Sequence, residues 1–366
     1  MRIFQILEFN QFDTGSVHQM FQAASGLRER GHEVTIVSRP GAAMAARAAA
    51  ADVAFVPMPL RNEFDPVSLA KMIRLFRRER PDVVHVHKGV AHSLALAAAY
   101  VAPVGALVVN RGVSFPLDRW NAAKFRARRV DRVVTVCEAI KRVIVESGKL
   151  PEEKVSVVYA GTDTAVFDPS KWDREAFRAE KGLDGFVVMQ VGVRDWKGWM
   201  ELVDAAMAHP NLHVALIGCR HERERAEVTE FVRGRGAEER VTIVEVRTDM
   251  PNVLAAADLV VDASWAGTGI TGTIREAMAM AKPVIATDCG GNRELVSSPE
   301  VGWLIRPRDA GALAGAIGEV IARPERAAAV GRNARAHVIR GFSKELRIAR
   351  LEELYGEIVS RSSDGR

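Results

Sequence analysis

The 366-residue chain has few cysteines and no long apolar run. Cys137, Cys219 and Cys289 lie far apart, so they make neither an even disulfide framework nor the close ligand spacing of a zinc site. A transmembrane helix needs about 20 consecutive apolar residues. The segment Met1–Glu8 is charged too early for a secretory signal peptide. These absences predict a reduced, cytoplasmic protein that does not span a membrane.

The excess of positive charge is also small, +5 with an isoelectric point near 9.2. Nucleic-acid binding is not expected, because the Lys and Arg residues are scattered along the chain rather than concentrated. Hydrophobic residues make up 48% of the chain and charged residues 27%, which is typical of a soluble globular protein. The length suits two domains, each with its own core.

Short apolar runs rich in Val and Ile alternate with helical segments along the chain. The runs are continuously apolar, which favours strands covered on both faces, as in parallel sheets flanked by helices. The predicted strands are Arg2–Glu8, Glu33–Ser38, Asp82–His87, Ala106–Asn110, Asp131–Cys137, Lys154–Tyr159, Phe186–Gly192, Leu212–Gly218, Val241–Val246, Leu259–Ala263, Pro283–Thr287 and Gly302–Ile305. Two Rossmann-like halves follow from this count.

The break between the halves is predicted in the turn-rich segment Tyr159–Pro169. This gives an N-terminal domain at residues 1–165 and a C-terminal domain at residues 166–342. A last helix, at residues 343–360, is expected to pack back on the first domain.

Two cations follow the first strand of the second half, in the turn Gly192–Gly198. Arg194 and Lys197 are expected at the carboxyl edge of the sheet, where open α/β sheets bind ligands. A guanidinium fork and an ammonium suit the two phosphates of a diphosphate. An isolated Arg-x-x-Lys pair is, however, more typical of a solvated turn.

A second indication comes from the strand that ends at Ala263, which leads through a loop of small residues into a helix. The N-terminus of a helix favours an anion, because unpaired N–H groups and the helix dipole point there. One turn into the helix, Glu276 is placed to accept hydrogen bonds from a polyol such as a ribose. A phosphate and a sugar bound together indicate a nucleotide.

In their order and spacing these motifs resemble the retaining nucleotide-sugar glycosyltransferases of the GT-B fold, in the large family-four group. The resemblance covers nearly the whole chain. Its further motifs are Leu27–Val34, Arg80–His87, Gly161–Phe167 and Asp288–Val296. It implies an α/β protein of two Rossmann-like, doubly wound parallel-sheet domains facing a cleft. It also implies transfer of a hexose-type sugar from a nucleoside diphosphate donor to a glycan or lipid-linked acceptor of the cell envelope, with no metal or other cofactor.

The same resemblance assigns roles to single residues. Arg194 and Lys197 resemble the catalytic cations that stabilise the departing diphosphate. Glu276 resembles the second acid of the family's Glu-x7-Glu motif, which binds the ribose. The donor-facing stretch is Thr268, Gly269, Ile270, Thr271, Gly272 and Thr273. Gly15, in the loop after the first strand, would approach the diphosphate from the opposite side.

Two departures from the family pattern leave alternatives open. Thr268 stands where the first acid of Glu-x7-Glu is expected, and Arg111 lies near a position where the family often carries a histidine. A catalytically silent sugar-nucleotide binder would fit these residues too. A transferase for a small soluble acceptor is a further alternative. An NAD-dependent enzyme is not expected, because Asp13–Ser16 has one glycine instead of Gly-x-Gly-x-x-Gly.

The candidates for the acceptor side are His18, His87, Lys88 and Arg111. His85 and His87 share one face of a strand, but a metal site would need a third ligand that the sequence does not show.

The segment 111–132 is basic and contains Phe115, Trp120 and Phe125. Two interpretations stay open. The segment could lie on an anionic membrane surface, which would make the protein peripheral at the inner face of the cytoplasmic membrane. It could equally be a solvated helix with its aromatic rings in the core.

Overall fold

The computed structural model describes residues 1–12, 14–267 and 269–364. The chain divides into two compact units. Unit 1 comprises Met1–Gly161 and the segment from Lys344 onward, and unit 2 comprises Thr162–Ser343. None of the helices in the described ranges is long and apolar enough to cross a membrane.

The secondary structure alternates between strands and helices. The strands are β1 (Arg2–Leu7), β2 (Glu33–Ser38), β3 (Ala54–Pro57), β4 (Val83–Val86), β5 (Ala106–Arg111), β6 (Arg132–Thr135), β7 (Val155–Val157), β8 (Phe186–Val191), β9 (Leu212–Cys219), β10 (Val241–Glu245), β11 (Leu259–Asp262), β12 (Val284–Thr287) and β13 (Trp303–Ile305). The helices are α1 (Gly15–Glu29), α2 (Ala42–Ala50), α3 (Pro66–Glu79), α4 (Gly89–Ala99), α5 (Arg119–Arg126), α6 (Glu138–Gly148), α7 (Arg174–Lys181), α8 (Trp199–Ala206), α9 (Glu222–Gly234), α10 (Met250–Ala255), α11 (Gly272–Ala279), α12 (Asn292–Leu295), α13 (Ala310–Ala322), α14 (Pro324–Gly341) and α15 (Lys344–Asp364).

Each unit is built on one parallel sheet. Over the described residues the sheet of unit 1 has the order β3-β2-β1-β4-β5-β6-β7, and that of unit 2 has the order β10-β9-β8-β11-β12-β13. Because parallel strands need right-handed crossovers, the connecting helices cover both faces of each sheet. The predicted fold class, two Rossmann-like parallel-sheet domains, is confirmed.

The predicted strands agree with the observed ones to within two residues at each end. One strand, β3, was not predicted. It lies at the edge of the sheet, pairs only with β2, and has partly exposed residues throughout. Its four residues are apolar, but the run ends in Pro57, and proline is typical of edge strands and turns rather than of buried strands.

The last helix, α15, belongs to unit 1, where it packs on α1. Its Tyr355 is buried and joins a polar network beneath the sheet. The Tyr355 hydroxyl lies 2.6 Å from Nδ1 of His85 and accepts a hydrogen bond from Nε2 of Gln5 at 3.3 Å. The Oε1 atom of Gln5 lies 2.6 Å from Nε2 of His87. The network thus links the first strand and the last helix of unit 1.

Unit 1 is expected to lose stability in acid because three of its histidines, His85, His87 and His92, are buried. Burial lowers the pKa of His85 and of His92 to about 3, and lowers that of His87 well below its ordinary value. Between pH 6.5 and about 3 the unfolded chain therefore binds protons that the folded chain does not. Above pH 6.5 these histidines do not lower the free energy of unfolding. As the pH drops below that value, the free energy of unfolding falls by about 1.4 kcal/mol per pH unit for each histidine.

Urea unfolding at pH 7.0 and 5.0 measures this effect. His92 packs edge-on against Phe125, so His92→Phe keeps the shape of the site and removes one titrating group. This variant should lose less stability between the two pH values than the wild type does. An equal loss in both proteins would contradict the assignment.

Candidate functional site

The strand order of unit 2 identifies a crevice for a ligand. Strands β8 and β11 are neighbours, but the chain proceeds from β8 towards β9 and from β11 towards β12, in opposite directions across the sheet. Loops that leave neighbouring strands in opposite directions open a crevice at the carboxyl edge, which is where open α/β sheets bind ligands. The turn with Arg194 and Lys197 follows β8, and the loop into α11 follows β11.

The turn after β8 is fixed from below by a buried glutamine. Nε2 of Gln190 donates to the carbonyl oxygen of Lys197 at 3.0 Å, and its Oε1 accepts from the backbone N–H of Ala263 at 3.3 Å. The backbone of Trp265 donates to the carbonyl of Trp196 at 2.9 Å. These bonds attach the cationic turn to the end of β11.

Gly198 ends this turn, and no other residue type fits there. Its φ is +68°, and a Cβ built on it would overlap the carbonyl oxygen of Ala263. We expect Gly198→Ala to lower the free energy of unfolding by about 2 kcal/mol or more. The control is Gly234→Ala in α9, where a Cβ would meet nothing within 4 Å. Chemical unfolding of both variants measures the difference, and similar midpoints would contradict the expected strain.

Lys197 is held by a buried carboxylate that the sequence analysis did not select. Its Nζ lies 3.3 Å from Oδ1 of Asp262, whose side chain is 2% exposed, while that of Lys197 is 17% exposed. Burial alone would raise the pKa of Asp262. The nearby Lys197 charge and the hydrogen bonds from Ser264, Thr271 and Asn292 outweigh it, so the pKa is lowered and the carboxylate stays ionised.

Asp262 also fixes the start of α11. The hydroxyl of Thr271, the residue before this helix, donates to Oδ2 of Asp262 at 2.9 Å. Nδ2 of Asn292, the first residue of α12, donates to the same oxygen at 3.1 Å. Lys197 and the first turn of α11 are therefore connected through a single side chain.

Glu276 follows this first turn, as the fifth residue of α11, and is half-buried. A Cβ built on Gly272 would be 3.9 Å from Oε1 of Glu276, so the carboxylate is directed back towards the helix N-terminus. Burial raises the pKa of Glu276 to about 7, against the opposing effect of the Arg275 charge. The group therefore changes its charge close to neutral pH.

The remaining donor-side candidates of unit 2 differ in exposure. Arg194 is exposed at the head of the turn. The carbonyl oxygen of Gly269 accepts a hydrogen bond from the N–H of Gly291 at 2.9 Å, and the side chain of Ile270 is buried. These two residues can therefore offer only backbone groups to a ligand. Thr273 is half-buried on the first turn of α11. Thr268 lies outside the described residues.

A tryptophan that the sequence analysis passed over completes this edge. The indole N–H of Trp265 donates to the carbonyl of Asp195 at 3.0 Å, and the guanidinium of Arg308 lies over its ring at 3.8 Å. Neither contact could be found from sequence, because Asp195 and Arg308 are both distant from Trp265 in the chain. Asp262 did leave a sequence signal, since it is the charged residue of an otherwise apolar strand.

Four candidates belong to the carboxyl edge of the sheet in unit 1. Gly15 begins α1, and a Cβ there would meet nothing within 4 Å. Lys88 precedes α4, is exposed, and has its Nζ 5.3 Å from the ring centre of Phe9. Arg111 ends β5, is half-buried, and donates to the carbonyl of Phe115 at 2.7 Å. His18 on α1 contacts the carbonyl of Phe12 at 3.0 Å.

His87 differs from these candidates because it is interior. It is 5% exposed and hydrogen-bonded to Gln5. Direct contact between this ring and an acceptor is therefore not supported. His85 and His87 do stack with ring centres 4.4 Å apart, but the described residues contain no group of three His, Cys, Asp or Glu side chains that could hold a metal ion.

The basic segment 111–132 has features of both the membrane-surface interpretation and the solvated-helix interpretation. Phe125 is buried, as the solvated-helix interpretation requires. Trp120 is 85% exposed and Phe115 is 52% exposed. Nζ of Lys124 on α5 pairs with Glu63 at 3.1 Å, and the next residue, Phe64, is 90% exposed. Three exposed aromatic rings thus lie near the carboxyl edge of unit 1.

Two protein-family models match this chain and cover most of it between them. The model described as Glycosyltransferase Family 4 matches residues 14–166. The model described as Glycosyl transferases group 1 matches residues 185–323, which include the turn with Lys197 and all of α11.

Similar proteins include two bacterial enzymes and one solved structure. The Escherichia coli UDP-Gal:alpha-D-GlcNAc-diphosphoundecaprenol alpha-1,3-galactosyltransferase is 26% identical over 83% of this chain and 84% of its own. The lipopolysaccharide core biosynthesis mannosyltransferase LpsB of Rhizobium meliloti (strain 1021) is 29% identical over 65% of this chain and 68% of its own. The structure of Anabaena HepE in complex with UDP superposes with a TM-score of 0.84, at 23% identity, over 98% of this chain and all of that one.

Proposed function

Because the chain belongs to the family 4 and group 1 glycosyltransferases, we propose that it moves a hexose-type sugar from a nucleoside diphosphate donor to a glycan or lipid-linked acceptor. The transfer retains the configuration of the anomeric carbon, and the product belongs to the lipopolysaccharide, exopolysaccharide or other envelope glycans. The observation that carries the proposal is the link from Lys197 through Asp262 to the first turn of α11. One rigid edge thereby presents an ammonium and a helix N-terminus to a diphosphate.

The donor is recognised by groups on this edge. Lys197, Arg194 and the N–H groups of Gly272 and Thr273 bind the diphosphate, and Glu276 accepts hydrogen bonds from the ribose hydroxyls. These groups supply positive charge at the phosphates, so no metal or other cofactor is part of the proposal. The E. coli relative uses UDP-galactose according to its name, which makes UDP-sugars the first donors to test.

The reaction is a displacement on one face of the sugar. The bond from the anomeric carbon to the diphosphate oxygen breaks, and the diphosphate departs with the electron pair. The acceptor hydroxyl oxygen bonds to the same face of that carbon and gives its proton to the departing phosphate oxygen. Lys197 stabilises the charge that grows on the diphosphate. A covalent glycosyl-enzyme trapped by rapid quench would contradict this mechanism.

A thermal-shift panel tests donor binding. UDP-, GDP- and ADP-sugars and the matching free diphosphates are added to the full chain, because a ligand that binds only the folded state raises the melting temperature. A shift with one nucleotide series supports the proposal and identifies the base. A shift without transfer to glycan or lipid-linked acceptors would favour a catalytically silent binder. The absence of any shift would contradict the donor site.

The acceptor side is proposed to meet an anionic membrane surface, with the protein peripheral at the inner face of the cytoplasmic membrane. The exposed face of α5 carries Arg119, Trp120 and Arg126. Phe115, four residues before this helix, is also exposed, as is Phe64, which follows the Glu63 that pairs with Lys124 of α5. Exposed aromatic rings among cations bind the interface of anionic bilayers. The name of the E. coli relative includes a diphosphoundecaprenol-linked acceptor, which is consistent with work at a membrane.

Removal of one ring should weaken this membrane contact. We expect Trp120→Ala to reduce sedimentation with phosphatidylglycerol vesicles several-fold, because its exposed indole no longer enters the interface. The matched control is Tyr100→Ala, since Tyr100 is 62% exposed but follows the C-terminal end of α4. Equal binding by wild type and Trp120→Ala would remove Trp120 from the membrane contact, and no binding by wild type would favour a small soluble acceptor.

A further inference from the structure

Strand β11 carries a buried charge that its position in the sheet does not require. Its other residues, Leu259, Val260 and Val261, are apolar and buried, whereas Asp262 places a carboxylate at 2% exposure. Moving an ionised carboxylate out of water costs several kcal/mol unless partners replace the water. An apolar residue at this position would avoid that cost, so packing alone does not explain the carboxylate.

The Asp262 carboxylate has three neutral hydrogen-bond donors in addition to the one cation that balances its charge. Oδ1 accepts from the hydroxyl of Ser264 at 2.7 Å and lies 3.3 Å from Nζ of Lys197. Oδ2 accepts from Thr271 at 2.9 Å and from Asn292 at 3.1 Å. Three of these four donors are neutral and remain in place if the ammonium turns towards another anion. Asp262 can therefore share Lys197 without becoming an unpaired buried charge.

Lys197 can be shared in this way. Its side chain is 17% exposed, so part of the ammonium faces the crevice while part faces Asp262. An ammonium has three donors, and the contact with Asp262 uses one of them. A diphosphate bound to the others would lie close to the carboxylate, and two like charges within a few ångströms repel strongly at a partly buried site.

We propose that Asp262 is an internal counter-ion of Lys197. It neutralises the lysine before a diphosphate binds and limits how tightly the diphosphate is then held, which favours release of the nucleoside diphosphate product. This inference rests on the proposed function, because it assumes that Lys197 binds the donor diphosphate. Asp262 acts through Lys197 and is a positioning residue rather than a catalytic one.

The test uses inorganic pyrophosphate, because its binding does not depend on the base of the donor. Calorimetric titration of the full chain compares wild type with Asp262→Asn. The neutral variant is expected to bind pyrophosphate five- to tenfold more tightly, since the repulsion is gone and Lys197 has lost its counter-ion. A residue with only a structural role would give weaker or unchanged binding when replaced, so the direction of the change is diagnostic.

Controls separate the counter-ion from general damage to the strand. Asp258 pairs with Arg178 at 2.6 Å near the opposite end of β11, so Asp258→Asn removes a comparable ion pair and should leave pyrophosphate affinity unchanged. In a Lys197→Met background, Asp262→Asn should no longer tighten binding. If Asp262→Asn does not fold, Asp262→Ser carries the same expectation, because a hydroxyl retains hydrogen bonding without the charge.

The outcomes distinguish this inference from the function on which it rests. If Lys197→Met weakens pyrophosphate binding but the neutral Asp262 variants do not tighten it, the counter-ion role is overturned and the donor site stands. If wild type does not bind pyrophosphate, or Lys197→Met binds it equally well, the donor site is wrong and the inference falls with it.

Discussion

Replacing Lys197 with methionine is expected to lower the rate of sugar transfer by about 10²- to 10³-fold. Methionine keeps the length and apolar stem of the side chain but removes the ammonium. Charge on the diphosphate increases as the sugar departs, so the lost interaction is stronger in the transition state than in the bound donor. The turnover rate should therefore fall more than the donor affinity does. Release of nucleoside diphosphate, measured with the donor identified by thermal shift, gives both quantities.

Lys181→Met provides the matched control for this prediction. Lys181 belongs to the same unit, and its side chain is 21% exposed, close to the value for Lys197. Its ion pairs are with Glu180 and Glu245. We expect normal turnover in this variant. Turnover by Lys197→Met within about threefold of wild type would remove Lys197 from the catalytic role.

Donor binding is expected to weaken below about pH 7 because of Glu276. Burial raises the pKa of this carboxyl to about 7, so it is ionised above that pH and protonated below it. An ionised carboxylate accepts hydrogen bonds from two ribose hydroxyls, whereas the protonated form has lost part of this capacity. The dissociation constant for the donor should thus rise as the pH falls from 8 to 6 and stay level above 8.

Glu276→Gln should remove this pH dependence and weaken donor binding about tenfold at pH 8, as expected for the loss of a charged hydrogen-bond acceptor. Its amide keeps the shape of the side chain but does not titrate. The control is Glu325→Gln, since Glu325 also lies near the start of a helix of unit 2 but is exposed on α14. A pH profile that Glu276→Gln leaves unchanged would assign the titration to another group.

The two residues behind these predictions were found from sequence because local pattern specifies them. Lys197 follows a buried strand within a glycine-framed turn, and Glu276 lies one turn into a helix that begins after another buried strand. The carboxyl ends of parallel strands meet at one edge, so the sequence alone places both side chains at the same edge of the sheet. Their roles remain predictions, because no ligand contact has tested them.

His87 shows what local sequence pattern leaves open. Its position at the end of a strand and beside Lys88 made it a candidate for the acceptor side. Its actual partners are Gln5 on the first strand and, through that residue, Tyr355 on the last helix. Burial of a histidine depends on such distant segments, which local pattern does not report.

Asp262 illustrates the same limit for the site itself. It is a carboxylate in an otherwise apolar strand, but it was not selected from the sequence, because its role depends on Lys197, 65 residues earlier, and on Asn292, 30 residues later. The sequence by itself determined the two parallel sheets and the edge at which we propose that the donor binds, because apolar runs and turn residues act locally. Only the tertiary structure decided which charges pair at that edge, because the hydrogen bonds that stabilise a buried carboxylate come from loops that the fold alone brings together.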